Sequence, residues 1–112
     1  DPAYLHHILD AITSIEEFSE GISSAEDLRN RRLERAGIER MLTIIGEAAK
    51  KVSPELRESY PEVPWGRRDK IVHHYFGVDY EAVFLTIQDD LPALKQGIQS
   101  ILDEVDRVRP AG

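Results

Sequence analysis

Cysteine is absent from the 112 residues, which removes disulfides, thiolate nucleophiles and cysteine-ligated zinc or iron–sulfur sites together. Aromatic residues make up only 7% of the chain, with a single tryptophan and a single methionine. No run approaches the roughly 18 uninterrupted apolar residues of a membrane-spanning helix, so no membrane partner is expected. The opening residues, Asp1-Pro2-Ala3-Tyr4-Leu5, place no basic stretch ahead of an apolar run. No secretory signal is read there, and a cytoplasmic location is expected. What is present is 41% hydrophobic and 31% charged residues, a balance that suits one modest globular core, read as a single helical domain over 1–112.

Net charge is −7, which argues against nucleic-acid binding by bulk electrostatics. The distribution says more than the sum. Residues 1–28 hold seven acids and no Lys or Arg, and residues 77–106 hold seven acids against Lys95 alone. Residues 29–50 instead hold six bases against three acids, and residues 66–76 hold Arg67, Arg68 and Lys70 against Asp69. Positive charge is therefore confined to two segments, a pattern that solvated helix faces with local ion pairs also produce.

Apolar residues at Leu5, Ile8, Ile12 and Ile15 keep the three–four spacing of one helical face and predict a first helix over about 3–20, ended by Gly21. Ser23 with Glu26 three residues on reads as a capping box opening a second helical stretch, which buries Ile38, Leu42, Ile45, Ala49 and Val52. Gly46 within it is expected to admit a close neighbour. Ser53 and Pro54 should cap and start a short helical turn. Pro61 and Pro64 bracket a connecting loop, after which a third helix over about 66–76 runs to Gly77. Asp79 is a natural N-cap for a last stretch in which Tyr80, Phe84, Ile87, Leu91, Leu94, Ile98, Ile101, Val105 and Val108 alternate by threes and fours. Pro92 should kink or split that helix after Asp90 or Leu91. The expected fold is all-α, an up-and-down four-helix bundle with an additional short helix over about 66–76 that carries Arg68, His73 and Tyr75.

Metal chemistry finds no support in the spacing. His6, His7, His73 and His74 form neither the Glu-x-x-His pairs of a di-iron bundle nor two histidines four apart around a glutamate, and no Gly-rich phosphate loop is present. No metal and no cofactor is expected. His6 and His7 read as helical surface histidines. The informative segment is Trp65-Gly66-Arg67-Arg68-Asp69-Lys70-Ile71-Val72-His73-His74-Tyr75-Phe76-Gly77, which gathers three bases, two histidines and a phenol within one short helix.

Arg68, four residues, His73, one residue and Tyr75 resemble the signature of the HEPN superfamily, and of its HepT-like toxin branch in particular. The segments IIGEAAKKVSPELRESYPEVPW, IVHHYFGVDYEAVF and DDLPAL, with YLHHILDAI as opening helix, follow the order usual in that family. The resemblance thus covers almost the whole chain. It implies metal-independent RNA cleavage through the 2′-hydroxyl, with His73 moving a proton and Arg68 holding the phosphate. The implied products are a 2′,3′-cyclic phosphate and a 5′-hydroxyl. Tyr75 corresponds to the tyrosine that receives AMP from a cognate minimal nucleotidyltransferase antitoxin, so such a protein is the expected partner. Many relatives carry Asn where this chain has Asp69, and more residues between the Pro-Trp and the motif arginine. The alternative function is a non-catalytic HEPN-like module that binds or presents substrate to a partner nucleotidyltransferase.

Helical geometry adds a constraint of its own. Five residues at 100° each set Arg68 and His73 about 140° apart around an ideal helix, so one does not lie above the other. A homodimer with facing motif helices would assemble one basic cleft from two copies, a state the resemblance also implies. Arg67 and His74, seven apart and nearly eclipsed, are candidates to line that cleft beside Lys70 and Asp69, binding RNA or supporting the motif pair.

Overall fold

The structure, a computed structural model, describes residues 2–63, 65 and 80–108. The element order is α1 (Pro2–Phe18), α2 (Ala25–Asn30), α3 (Arg32–Lys51), α4 (Pro54–Ser59), α5 (Tyr80–Leu85), a π-helical turn (Thr86–Asp90) and α6 (Leu91–Val108). The fold is all-α, with no strand among the described residues. None of the described helices is long and apolar enough to cross a membrane.

The core follows the apolar spacing. Leu5, Ile8, Ile12 and Ile15 of α1 are buried, as are Ile38, Leu42, Ile45, Ala48 and Ala49 of α3 and Leu91, Leu94, Ile98 and Ile101 of α6. α1 therefore lies between α3 and α6 and packs on both. Each fully buried Ile or Leu is worth about 1.5–3 kcal/mol relative to exposure. A Lys95–Glu16 ion pair at 3.0 Å ties α6 to α1 outside this core. Gly46, where a close neighbour is expected, is buried, and a close approach is seen at Gly37, at the far end of α1. A Cβ on Gly37 would stand 2.7 Å from the Phe18 ring.

Gly21 reverses the chain after α1 with φ of 81°, a left-handed conformation that disfavours residues bearing a Cβ. The next helix starts one residue later than the capping pattern predicts. Ser24, not Ser23, is the N-cap, and its hydroxyl accepts from the Asp27 N–H at 3.1 Å. The reciprocal acid is Asp27 instead of Glu26. Its carboxylate accepts from the Ser23 N–H at 3.0 Å and the Ser23 hydroxyl at 2.9 Å. These bonds, the Ser23 backbone one foremost, hold the Asp27 carboxyl below its usual 3.8. A lowered folded value means that the stabilisation is complete above the unfolded value and is lost as pH falls through the folded one. Wild type should therefore melt above an Asp27→Asn variant at neutral pH, with the Tm gap closing on acidification below about pH 4. Thermal melts across that range check the sign.

The second helical stretch is not continuous. Arg31, at φ −95° and ψ 83°, ends α2 and begins α3. No Gly or Pro marks this joint, which is why the sequence reads straight through it. The break costs the Arg29 carbonyl its helical partner, and the Arg35 side chain replaces it by donating from Nη1 at 2.6 Å. Ser53 and Pro54 begin α4 as expected, the Ser53 hydroxyl accepting from the Leu56 N–H at 3.2 Å.

The last stretch is interrupted where expected, after Asp90: a π turn ends there and α6 starts at Leu91, whose N–H donates to the Thr86 carbonyl five residues back. Proline in a regular α-helix lacks a donor and crowds the carbonyl four residues earlier; a widened preceding turn gives its ring room. Thr86 is buried there and donates its hydroxyl to the Ala82 carbonyl at 2.9 Å.

Candidate functional site

Arg67, Arg68, Asp69, Lys70, His73, His74 and Tyr75, with the expected 66–76 helix and the Asp79 cap, lie outside the described residues. What the structure gives is the frame that holds the two ends of this segment.

The incoming end is fixed on α6. After α4, Val63 is buried, and its Cγ2 would sit 2.7 Å from a Cβ built on Gly97. Only glycine leaves the helix surface open enough for that valine. The Tyr60 hydroxyl donates to the Glu104 carboxylate, and the Trp65 indole Nε1 donates to the Tyr60 carbonyl at 3.1 Å. The bond to Glu104 raises the Tyr60 phenol above its ordinary value of 10.0, with lesser contributions from desolvation and from the Glu104 and Glu62 charges. The loop expected between Pro61 and Pro64 is thus part of a strap pinned to α6 at two points and closed on itself by the Trp65–Tyr60 bond.

The outgoing end is fixed elsewhere. Tyr80 starts α5, and the Arg35 guanidinium stands over its ring at 5.2 Å from the centroid. Because Arg35 also holds the Arg29 carbonyl, one side chain joins α5 to the α2–α3 joint. Tyr80 and Gly97 lie seventeen residues apart on one helical rod, so the two anchor points are separated by roughly 26 Å.

His6 and His7 are exposed on α1, the His7 ring lying edge-on to Tyr4 at 6.1 Å. Among the described residues no group of three His, Asp or Glu could hold a metal ion.

Comparison with known proteins bears on the chain as a whole. A family model described as ribonuclease HepT-like matches residues 8–101, which takes in Val63, Gly97 and Tyr80 and everything between them. The chain belongs to the HepT-like ribonuclease family. It is similar to the protein named "Probable ribonuclease HepT" of Thermococcus cleftensis, 41% identical over 96 residues, covering 82% of this chain and 86% of that one. A Caldanaerobacter subterraneus protein provisionally named an RNase is 40% identical over 105 residues, covering 90% and 93% of the two chains. A Methanocaldococcus jannaschii protein, also provisionally named an RNase, is 35% identical over 108 residues, covering 93% and 88%. No solved structure matches the chain. Membership of the HepT-like family makes ribonuclease the activity class, and it joins the helices described above and the Arg68–Tyr75 segment in one family pattern.

Proposed function

We infer that this HepT-like chain is a metal-independent endoribonuclease, the toxin of a toxin–antitoxin pair. The observation that carries the reading is Arg68-x4-His73-x-Tyr75 standing inside a ribonuclease-family match over residues 8–101. RNA supplies its own nucleophile. A His73 imidazole accepts the 2′-hydroxyl proton as that oxygen attacks the neighbouring phosphorus, and the P–O5′ bond breaks. An imidazolium returns a proton to the departing 5′-oxygen, leaving a 2′,3′-cyclic phosphate and a 5′-hydroxyl. Arg68 offsets the extra negative charge on the phosphate oxygens as the fifth bond forms.

The roughly 140° between Arg68 and His73 on an ideal helix favours a homodimer in which facing copies complete one cleft, lined also by Arg67, Lys70 and His74. Silencing is assigned to a cognate minimal nucleotidyltransferase antitoxin. The Tyr75 phenol gives up its proton to solvent as its oxygen attacks the α-phosphorus of ATP, pyrophosphate leaves, and the attached AMP brings negative charge and a purine into a site that attracts phosphate. Asp69 supports a second reading, a non-catalytic module that binds or presents substrate to a partner nucleotidyltransferase, because a carboxylate beside Arg68 weakens its pull on phosphate.

The deciding test is incubation of the purified chain with RNA in EDTA. Cleavage that persists under chelation, with 2′,3′-cyclic phosphate ends, is the expected outcome. Cleavage lost in EDTA and restored by a divalent metal overturns metal independence, and absence of cleavage in either condition leaves the presenting module as the better reading.

A further inference from the structure

The α2–α3 joint carries a group of arginines that the fold leaves unused. Arg29 is exposed at the end of α2, and Arg32 and Arg40 are exposed on α3. Arg31 pairs with Glu34 at 3.6 Å, and Arg35 is committed to the Arg29 carbonyl and the Tyr80 ring. Arg29, Arg32 and Arg40 have no ion pair among the described residues. This is unusual company for a chain in which 21 acids face 14 Lys and Arg. Glu26, Glu34, Glu39 and Glu81 lie nearby, yet none of them is within ion-pair distance of these three guanidiniums, which leaves the three charges exposed.

Their placement is ordered. Arg32, Ala36 and Arg40 follow one another at steps of four on α3, all exposed, and so form one stripe about 12 Å long. Leu33, beside Arg32, is 85% exposed, the most open large apolar side chain on the described surface. The joint at Arg31 produces this exposure, because it starts α3 with a new facing in which Leu33 has nothing to bury against. Arg29 lies on α2, across the Arg31 joint from the stripe, and lines a hollow of about 430 Å³ with Asn30 and Tyr80. The positive stretch is bounded. Glu26 and Glu81 line the same hollow as Arg29, and Glu39 and Glu47 neighbour Arg40 along α3.

Planar, permanently charged guanidiniums spaced along a helix, with an apolar side chain between them, match the alternation of phosphate and sugar-base along a nucleic-acid strand. We propose that Arg29, Arg32 and Arg40, with Leu33 among them, form a binding surface for single-stranded RNA outside the motif segment, holding the flanking part of a strand whose scissile phosphate lies elsewhere. The proposal rests on the ribonuclease reading above. It adds that substrate length matters, since a strand long enough to reach this surface gains contacts that a dinucleotide lacks.

Binding of a 20-nucleotide single-stranded RNA carrying 2′-O-methyl groups, which lacks the attacking hydroxyl and is not cut, is measured in EDTA across a salt series, for wild type, a triple Arg29→Gln/Arg32→Gln/Arg40→Gln variant and the corresponding triple Lys variant, with cleavage of the unmodified RNA followed separately. Lys95→Gln, on the Glu16 ion pair, serves as a single-charge control, and helix content by circular dichroism confirms folding. Each phosphate contact on a single strand contributes about 0.7 to the slope of log K against log salt, so the triple Gln variant should lose about 2 from that slope. Its affinity at low salt should fall at least tenfold, the Lys variant should keep most of the slope, and Lys95→Gln should match wild type. A triple Gln variant with the wild-type slope, from a chain that still cleaves RNA, overturns the surface and leaves the ribonuclease reading intact. Equal losses in the Gln and Lys variants overturn it too, because charge would not be the cause. Failure of wild type to bind or cleave overturns both.

Discussion

His73→Ala is expected to cut RNA at least a hundred-fold more slowly than wild type in EDTA, while keeping its fold. A positioned general acid or base contributes about 10²–10⁴ in rate, and here a single imidazole is asked to move protons in a reaction whose nucleophile is already tethered to the substrate. The pH profile carries a second signature. Wild-type activity should rise as imidazole loses its proton near its reference value of about 6.5, and that rising limb should vanish in the variant. Arg68→Ala should differ in kind, with rate lost and the limb retained, because a guanidinium stays charged throughout that range. Single-turnover assays on a fluorescent RNA between pH 5 and 8 separate the two. A folded His73→Ala chain with full activity would assign the proton transfer to another group.

The largest effect on stability is expected from Ile45→Ala. Ile45 lies on the buried arc of α3 and is fully enclosed. Because α3 packs on both α1 and α2, the cavity opens in the layer that joins the N-terminal helices. Truncation of a buried Ile to Ala costs about 2–5 kcal/mol in transferred area and residual cavity. For a chain of this size that is a Tm drop on the order of 10–20 °C, a large part of a domain's usual margin of about 5–15 kcal/mol. Calorimetry on Ile45→Ala beside Ala36→Ser, an exposed neighbour on the same helix, distinguishes a core effect from a helix-propensity effect; equal drops would contradict the burial argument.

The core was legible in the sequence because burial leaves a periodic trace: Leu5, Ile8, Ile12 and Ile15 declare α1 without further information. The joint at Arg31 was not, since its compensation comes from Arg35 through a side-chain bond that no local pattern encodes. The capping residues were displaced by one because Ser23 and Ser24, followed by Glu26 and Asp27, offer two overlapping capping patterns, and only the backbone conformation at Ser24 selects between them. The motif residues were legible as chemistry, by the rarity of an Arg, His and Tyr cluster in an acidic chain. Their anchors were not: Val63 meets Gly97, and Tyr60 meets Glu104, across separations that sequence periodicity does not measure. The arginine surface was visible only as a run of charge. That its members stay unpaired is a property of the folded chain.

The wide turn at Thr86–Asp90 acts as a phase shifter. In an uninterrupted α-helix Tyr80 would fall within about 20° of Leu91, Leu94 and Ile98 would follow close to the same line, and all would face one neighbour. The extra residue held in the turn rotates everything before it by roughly 100° relative to what comes after. Leu91, Leu94 and Ile98 accordingly face the core on the α1 side, whereas Tyr80 turns aside to sit beneath Arg35, and α5 packs on α2. One apolar stripe thereby serves two different neighbours, α2 before the turn and α1 after it.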